Sequence, residues 1–176
     1  MVSKKEDELM TLRLSKKEAL RQLVGVVVSV IAAVGLPQVL HLIGFGLGEI
    51  ILPMHLPVLL AGFVVGPYAG AVCGLLSPII SYLLTGMPQE AMLPFIVIEL
   101  ITYGFMAGML KNVQMPNVLK VLSCQIGGRI IRGIAIILIG GVSATVIWSS
   151  IVMGLVGIIL QLILIPKILD RYEGLR

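Results

Sequence analysis

The stretch MHLPVLLAGFVVGPYAGAVCGLLSPIISYLLTGMP, residues 54–88, contains no lysine, arginine or acidic residue. Its apolar residues run continuously instead of alternating with polar ones, which predicts membrane-spanning helix and excludes a strand of a transmembrane barrel. Gly66-Pro67 interrupts the run, and proline is favoured in the first turn of a helix but disfavoured inside one. We therefore expect a short helix over residues 57–65 and a full-length helix over 67–85.

The rest of the chain has the same character. Of its 176 residues, 58% are hydrophobic and only 12% are charged, more apolar surface than a soluble domain of this size could bury. Apolar runs follow one another from about Leu23 to Pro166, which indicates several membrane helices. The net charge of +4 does not indicate nucleic-acid binding, because the basic residues lie in short flanks without interleaved aromatic residues.

The number of helices follows from the C-terminal half. A single helix over residues 133–166 would be about 51 Å long, too long for a bilayer. The GGVS sequence at 140–143 predicts a turn, so one helix is expected at about 117–139 and another at 144–166. With helices at about 20–40 and 91–110, the total is six, and the predicted fold is an all-α integral membrane bundle.

The positions of lysine and arginine fix the predicted orientation, because these residues are enriched in cytoplasmic loops. Six precede helix 1, two flank the loop between helices 4 and 5, and three follow helix 6, so all fall on one side of a six-helix bundle. We expect both termini in the cytosol, with a tail over residues 1–19, a membrane domain over 20–170 and a second tail over 171–176. The predicted location is the plasma membrane.

A few polar residues interrupt the apolar helices, and such residues are candidates for function. Glu99 shares a face of helix 4 with Tyr103, and Gln125, Arg129 and Arg132 share a face of helix 5. Glu99 and Arg132 both lie about 10 Å from the external ends of their helices, so they could pair, but Arg129 differs in depth by only one turn and the sequence does not rank the two arginines. Arg129 then either snorkels to the cytosolic side or faces a ligand cavity.

Two external loops are expected to cover the half of the bundle that contains Glu99 and Arg132. They are residues 41–55 and the connection between helices 3 and 4, which carries Gln89 and Glu90. The segment 41–55 is glycine-rich and precedes a helix too short to cross a bilayer, so it must dip into the membrane. Trp148 belongs either to an interfacial belt or to a ligand site, where it would stack on a ring. The predicted substrate-binding residues are Met54, His55, Gln89, Glu90, Glu99, Tyr103, Gln125, Arg129, Arg132 and Trp148.

Small residues predict where helices pack closely. Gly66, Gly70 and Gly74 recur in helix 3 and predict internal packing, whereas Gly25, Ser29 and Ala33 of helix 1 fit either internal packing or the docking of another protein. No phosphate-binding loop, metal cluster or nucleophile with an adjacent base is visible, so we expect no enzyme activity and no cofactor. Without a nucleotide-binding motif, a chain this small cannot itself couple ATP to transport, so it is either passive or depends on the ATPase of another protein.

Residues 54–88, with their short helix, Gly-Pro break and glycine-spaced third helix, resemble the S components of energy-coupling factor (ECF) transporters, which bind substrate. The sequence IELITYGFMAGML, residues 98–110, is also similar to that family, and the likeness extends over about residues 20–170. The resemblance implies a ligand pocket near the external side, formed by the 1–2 loop, the 3–4 loop and helices 4 to 6. It also implies docking on a membrane T subunit driven by two ABC ATPases, with Gly25, Ser29 and Ala33 at the positions of the family's docking motif.

The function implied is high-affinity binding of a water-soluble vitamin or related heterocyclic micronutrient for import. A B6-type pyridine, a pyrimidine or thiazole precursor of thiamine, a pantothenate-like acid and a deazapurine all fit the polar residues. Two other classes compete with this interpretation. One is a small structural or assembly protein of the membrane, in which the buried charges only fix helix register. The other is a self-sufficient small carrier, against which the hydropathy pattern argues because it lacks an inverted repeat.

Overall fold

A computed structural model describes residues 2–43, 52–140 and 144–174, with side chains described within 16–39, 52–140 and 154–174. All regular secondary structure in these ranges is helical. The helices are α1 (Val2–Ile43), α2 (His55–Leu60, continued by a π-helical turn, Ala61–Val65), α3 (Pro67–Thr85), α4 (Leu93–Leu110, after a 3-10 turn, Glu90–Met92), α5 (Asn117–Ile139) and α6 (Ala144–Glu173).

The helices agree closely with the prediction within the apolar runs and extend beyond it at the two ends of the chain. α3 and α5 begin and end at the predicted residues. α1, however, begins at Val2 rather than near residue 20, and α6 continues past Pro166 to Glu173. Both extensions are rich in lysine, glutamate and leucine, which are good helix formers. Polarity therefore marks where the apolar run ends, but not where the helix ends.

The predicted break at Gly66-Pro67 is present. Gly66 has φ +152° and ψ 176°, a left-handed backbone conformation that favours glycine, and Pro67 occupies the first turn of α3. The Gly66 N–H still donates to the carbonyl of Ala61, at 3.2 Å. The break therefore separates the short α2 from α3 without leaving this amide unpaired.

Glycines bring α3 and α4 into backbone contact. A Cβ added at Gly70 would overlap the backbone of Gly104, and one added at Gly74 would overlap the backbone of Leu100. These contacts confirm the predicted internal packing for Gly70 and Gly74, whereas Gly66 serves the helix break instead. The close approach fixes the position of α4, which carries Glu99 and Tyr103.

Buried side chains from α1 to α6 form one continuous core. Its fully buried members include Ala33, Val58, Leu59, Cys73, Leu100, Val121, Cys124 and Ile165. Many large aliphatic side chains remain exposed on the outside of the bundle, as expected for a surface that faces lipid.

Four helical segments of the described chain are long and apolar enough to cross a bilayer: Lys16–Val39, Pro67–Thr85, Glu90–Leu110 and Asn117–Ile139. A shorter apolar helix, His55–Val65, accompanies them.

One end of the bundle gathers three parts of the chain that carry basic residues. Arg21 of α1 donates from Nη2 to the hydroxyl of Tyr172 near the end of α6, at 3.2 Å. Asn117, at the start of α5, donates from Nδ2 to Asp170 of α6, at 2.7 Å. Lys111, just after α4, donates from Nζ to the carbonyl of Val64, at 2.5 Å. Arg21 of α1, the α4–α5 connection and the end of α6 therefore lie together.

Candidate ligand site

The centre of the site is a carboxylate on α4 that is almost fully withdrawn from solvent. Glu99 is 1% exposed, and Tyr103 lies one turn further along the same helix. The Tyr103 hydroxyl donates to Glu99 Oε1 at 2.8 Å. Gly128 of α5 leaves room for the tyrosine ring, because an added Cβ there would overlap it. The tyrosine is thus held by packing and aims its hydroxyl at the carboxylate.

Glu99 pairs with Arg132, one of the two arginines of α5 that the sequence did not rank. Arg132 Nη1 lies 2.9 Å from Glu99 Oε2, so both carboxylate oxygens accept a hydrogen bond. The arginine side chain is 13% exposed. A buried ion pair of this kind is retained only when hydrogen bonds satisfy the remaining lone pairs, and Tyr103 supplies one of them. Arg132 and Glu99 therefore form a paired unit between α4 and α5.

A second chain of hydrogen bonds ties α5 to α6 and to the residues before α2. Gln125 Nε2 donates to Gln161 Oε1 at 3.0 Å, and Gln161 Nε2 donates to the carbonyl of Leu52 at 3.3 Å. Gln161, 2% exposed, was not predicted as a site residue. Its signal was available in the sequence, because it is a polar residue within the apolar run GIILQLILIP.

His55 and Leu52 bring the start of α2 to the same cluster. The His55 ring packs on Tyr103, with ring centroids 5.4 Å apart and an angle of 56° between their planes. His55 is buried, and its Nδ1 has no hydrogen-bond partner. Leu52 has φ +50°, a backbone conformation that non-glycine residues rarely adopt. Its carbonyl accepts from both Gln161 and the His55 amide.

Arg129 is the remaining charged residue of the cluster. Its Nε is buried without a hydrogen-bond partner, and no ion pair joins it to a carboxylate of the described chain. A Cβ added at Gly154 of α6 would lie 3.0 Å from Arg129 Nη2 and 3.2 Å from Leu52 Cδ1. The guanidinium therefore lies against α6, beside Leu52, and the Arg129 side chain remains partly exposed to solvent.

Gln89 and Glu90 are not brought into this cluster. Gln89 and Glu90 have exposed side chains in the α3–α4 connection, and the Gln89 carbonyl caps the turn that follows. Met54 is half-buried and packs against the core. The backbone of Trp148 is helical, but its side chain lies outside the described part, as do residues 44–51 of the predicted dipping loop.

The helix 1 face Gly25–Ser29–Ala33 is used for packing inside the molecule. Ala33 is fully buried in the core, and a Cβ added at Gly25 would lie 2.6 Å from Val65 Cγ2. Ser29 is half-buried. Internal packing was one of the two predicted alternatives for this face, and the structure supports it for Gly25 and Ala33. Docking of another protein through the face stays a prediction.

The described residues hold no metal cluster, and a polar cavity that they line lies near the start of α5. The described residues contain no group of three or more His, Cys, Asp or Glu side chains that could hold a metal ion. A cavity of about 180 Å³ lies near Asn117 and Tyr172, at the end where the basic segments gather. Because Lys120 lines that cavity and precedes Arg132 by more than three helical turns, the cavity is about 18 Å from Arg132 along α5, although Gln125 lies nearer to it.

Fold and site together define a helical membrane protein with a buried, charged polar cluster between its helices. A family model described as ECF transporter, substrate-specific component, matches residues 22–169. The match covers most of the chain, so the chain belongs to this family of substrate-binding transporter components. No curated protein and no solved structure matches it.

Proposed function

We propose that the protein binds a water-soluble vitamin or a related heterocyclic micronutrient at the Glu99–Arg132–Arg129 cluster. The observation that carries the proposal is the pair of buried nitrogen atoms without partners, His55 Nδ1 and Arg129 Nε. Buried polar atoms are normally hydrogen-bonded, and the exceptions call for an explanation. In a substrate-binding component, a bound ligand supplies the explanation. It would accept a hydrogen bond from Arg129 Nε and would reach His55 Nδ1.

The proposal includes a six-span topology with both termini in the cytosol of a bacterial or archaeal cell. Four of the spans are α1, α3, α4 and α5, and the fifth is α6. The sixth is formed by the short α2 together with the segment before it. The gathering of Arg21, Lys111 and the end of α6 at one end of the bundle supports this arrangement, because positive charge favours the cytosolic side.

Import would require partners, because the sequence carries no nucleotide-binding motif. The family implies a T subunit and two ABC ATPases as the energising module. Docking through Gly25, Ser29 and Ala33 is the expectation drawn from the resemblance, and the internal packing of Gly25 and Ala33 argues against it. The exposed aliphatic side of α1, which includes Leu23, Val24, Val27 and Ile31, is a second candidate surface.

Mass spectrometry of the purified protein tests the binding function. Protein isolated from cells grown with a full vitamin supplement should release one small molecule in about a 1:1 ratio when denatured. An assembly protein with charges that only fix helix register would release none. Uptake of that molecule by cells with and without a T subunit and its ATPases then tests the transport function. Equal uptake in both would indicate a self-sufficient carrier.

A further inference from the structure

We infer that the ligand carries a carboxylate, which binds the guanidinium of Arg129. The inference rests on the proposed function and narrows the class of substrate. Its basis is the charge balance of the buried cluster together with the position of Arg129. The family match does not distinguish neutral, cationic and anionic micronutrients. The charge balance of the cluster is the feature that distinguishes them.

The described part of the cluster contains two arginines and one carboxylate. Arg132 and Tyr103 engage the two oxygens of Glu99. Gln125 and Gln161 bond to each other and to Leu52, and they carry no charge. Within the described residues, one positive charge is therefore left without a counterion on a side chain that is only partly exposed to solvent, and such an unpaired charge is costly. A ligand with one negative charge would remove this cost.

The geometry assigns the surplus charge to Arg129. Arg132 has its carboxylate at 2.9 Å, whereas Arg129 Nε is buried with no partner. An arginine presents its Nε and an Nη nitrogen as a fork that matches the two oxygens of a carboxylate. Gly154 lies beside Nη2, where an added Cβ would be only 3.0 Å away, and Leu52 lies at the same place. A carboxylate that accepts from this fork would thus lie between α5, α6 and the residue that precedes α2.

The first measurement needs no ligand. The ligand-free protein should become more stable when Arg129 is replaced by methionine, because the change keeps most of the volume and removes a partly buried charge that has no carboxylate partner in the described part of the chain. We expect Arg129→Met to raise the unfolding temperature by about 2–4 °C. Lys167→Met removes an exposed charge elsewhere and is the matched control. A decrease in unfolding temperature as large as the one caused by Arg132→Met would show that Arg129 has an internal partner. That result would overturn the inference. Glu49→Gln, which changes a residue outside the described part, would then test whether Glu49 is that partner.

The second measurement uses matched probes that differ in charge. Pantothenate is compared with pantothenol, nicotinate with nicotinamide and biotin with biotinamide, and thiamine serves as a cation and pyridoxal phosphate as a phosphate ester. A carboxylic acid should raise the unfolding temperature where its neutral counterpart does not. Arg129→Met should weaken its binding by roughly 10- to 150-fold, the loss of a hydrogen bond to a charged group, whereas Lys167→Met should not change it.

The outcomes separate this inference from the function on which it rests. If the protein binds a neutral, cationic or phosphate-bearing probe in preference to every carboxylate, the inference is wrong and the vitamin-binding function stands. If a carboxylate binds equally well to the parent and to Arg129→Met, the inference is also wrong. If no probe raises the unfolding temperature and no small molecule is released on denaturation, both the inference and the proposed function are overturned.

Discussion

At the scale of single residues, Glu99 shows how an apolar bundle keeps a charge. Burial of a carboxylate is costly, and the cost is offset only by close partners with good geometry. Tyr103 and Arg132 supply them at 2.8 and 2.9 Å, one to each oxygen. The stability of the α4–α5 contact therefore depends on an ion pair that loses most of its value when one member is removed.

Arg132→Ala should destabilise the protein by about 3 kcal/mol, because it leaves Glu99 buried and unpaired. Adding Glu99→Gln to the same chain should restore part of the loss, since the amide that remains carries no charge. Thermal unfolding in detergent measures both effects. Arg171→Ala, at an exposed arginine near the end of α6, is the control and should change little. Equal stability of Arg132→Ala and the parent would contradict the role assigned to the pair.

At the scale of helices, the position of the site depends on how closely α3 and α4 pack. Gly70 and Gly104 face each other across backbone contact, with no space for a side chain on either helix. Close contacts of this kind drive helix association in membranes, where lipid tails remove the hydrophobic driving force. The depth of Glu99 in the bundle is a consequence of this packing.

Gly70→Ala should sharply reduce the yield of folded protein, because its Cβ would overlap the backbone of Gly104, and overpacking typically costs about 1–3 kcal/mol. Gly35→Ala is the matched control. Gly35 lies inside α1 with nothing within 4 Å of an added Cβ, so alanine should be neutral or should stabilise the helix by about 0.5–1 kcal/mol. Size-exclusion profiles and unfolding temperatures of the two variants check the prediction, and similar profiles would contradict it.

Gly25→Leu should destabilise the protein itself, because its side chain would displace Val65. Val156→Leu adds a carbon on an exposed part of α6, outside both candidate docking faces of α1, and should leave stability unchanged. Ligand binding by the isolated protein and uptake by cells are measured for both variants. If Gly25→Leu blocked uptake while stability and ligand binding remained normal, the face would be a docking surface in spite of its packing.

At the scale of the whole molecule, the basic segments lie together at one end of the bundle. The connection between α3 and α4 lies at the other end. Because Lys111 follows α4 directly and bonds to the carbonyl of Val64 beside the start of α3, the other ends of α3 and α4 lie across the bundle. The exposed residues Gln89 and Glu90 belong there.

Single cysteines at Gln89 and Asn112 should therefore react differently in intact cells. A membrane-impermeant maleimide should label Gln89→Cys and should label Asn112→Cys only after the membrane is opened. The parent chain is the background control, because its two thiols, Cys73 and Cys124, are buried. Labelling of Asn112→Cys in intact cells, with Gln89→Cys protected, would reverse the proposed orientation.

The sequence by itself determined the class of fold, the bounds of α3 and α5 and the depth at which Glu99 could meet Arg129 or Arg132. These features depend on hydropathy, on Gly-Pro chemistry and on depth along a helix, all of which are local or nearly so. Only the tertiary structure paired Glu99 with Arg132. It also decided that Gln161 joins the cluster, that Gln89 and Glu90 lie away from it and that Gly25 packs on Val65. Those features depend on how helices rotate and approach one another, which is set by contacts between residues distant in the chain.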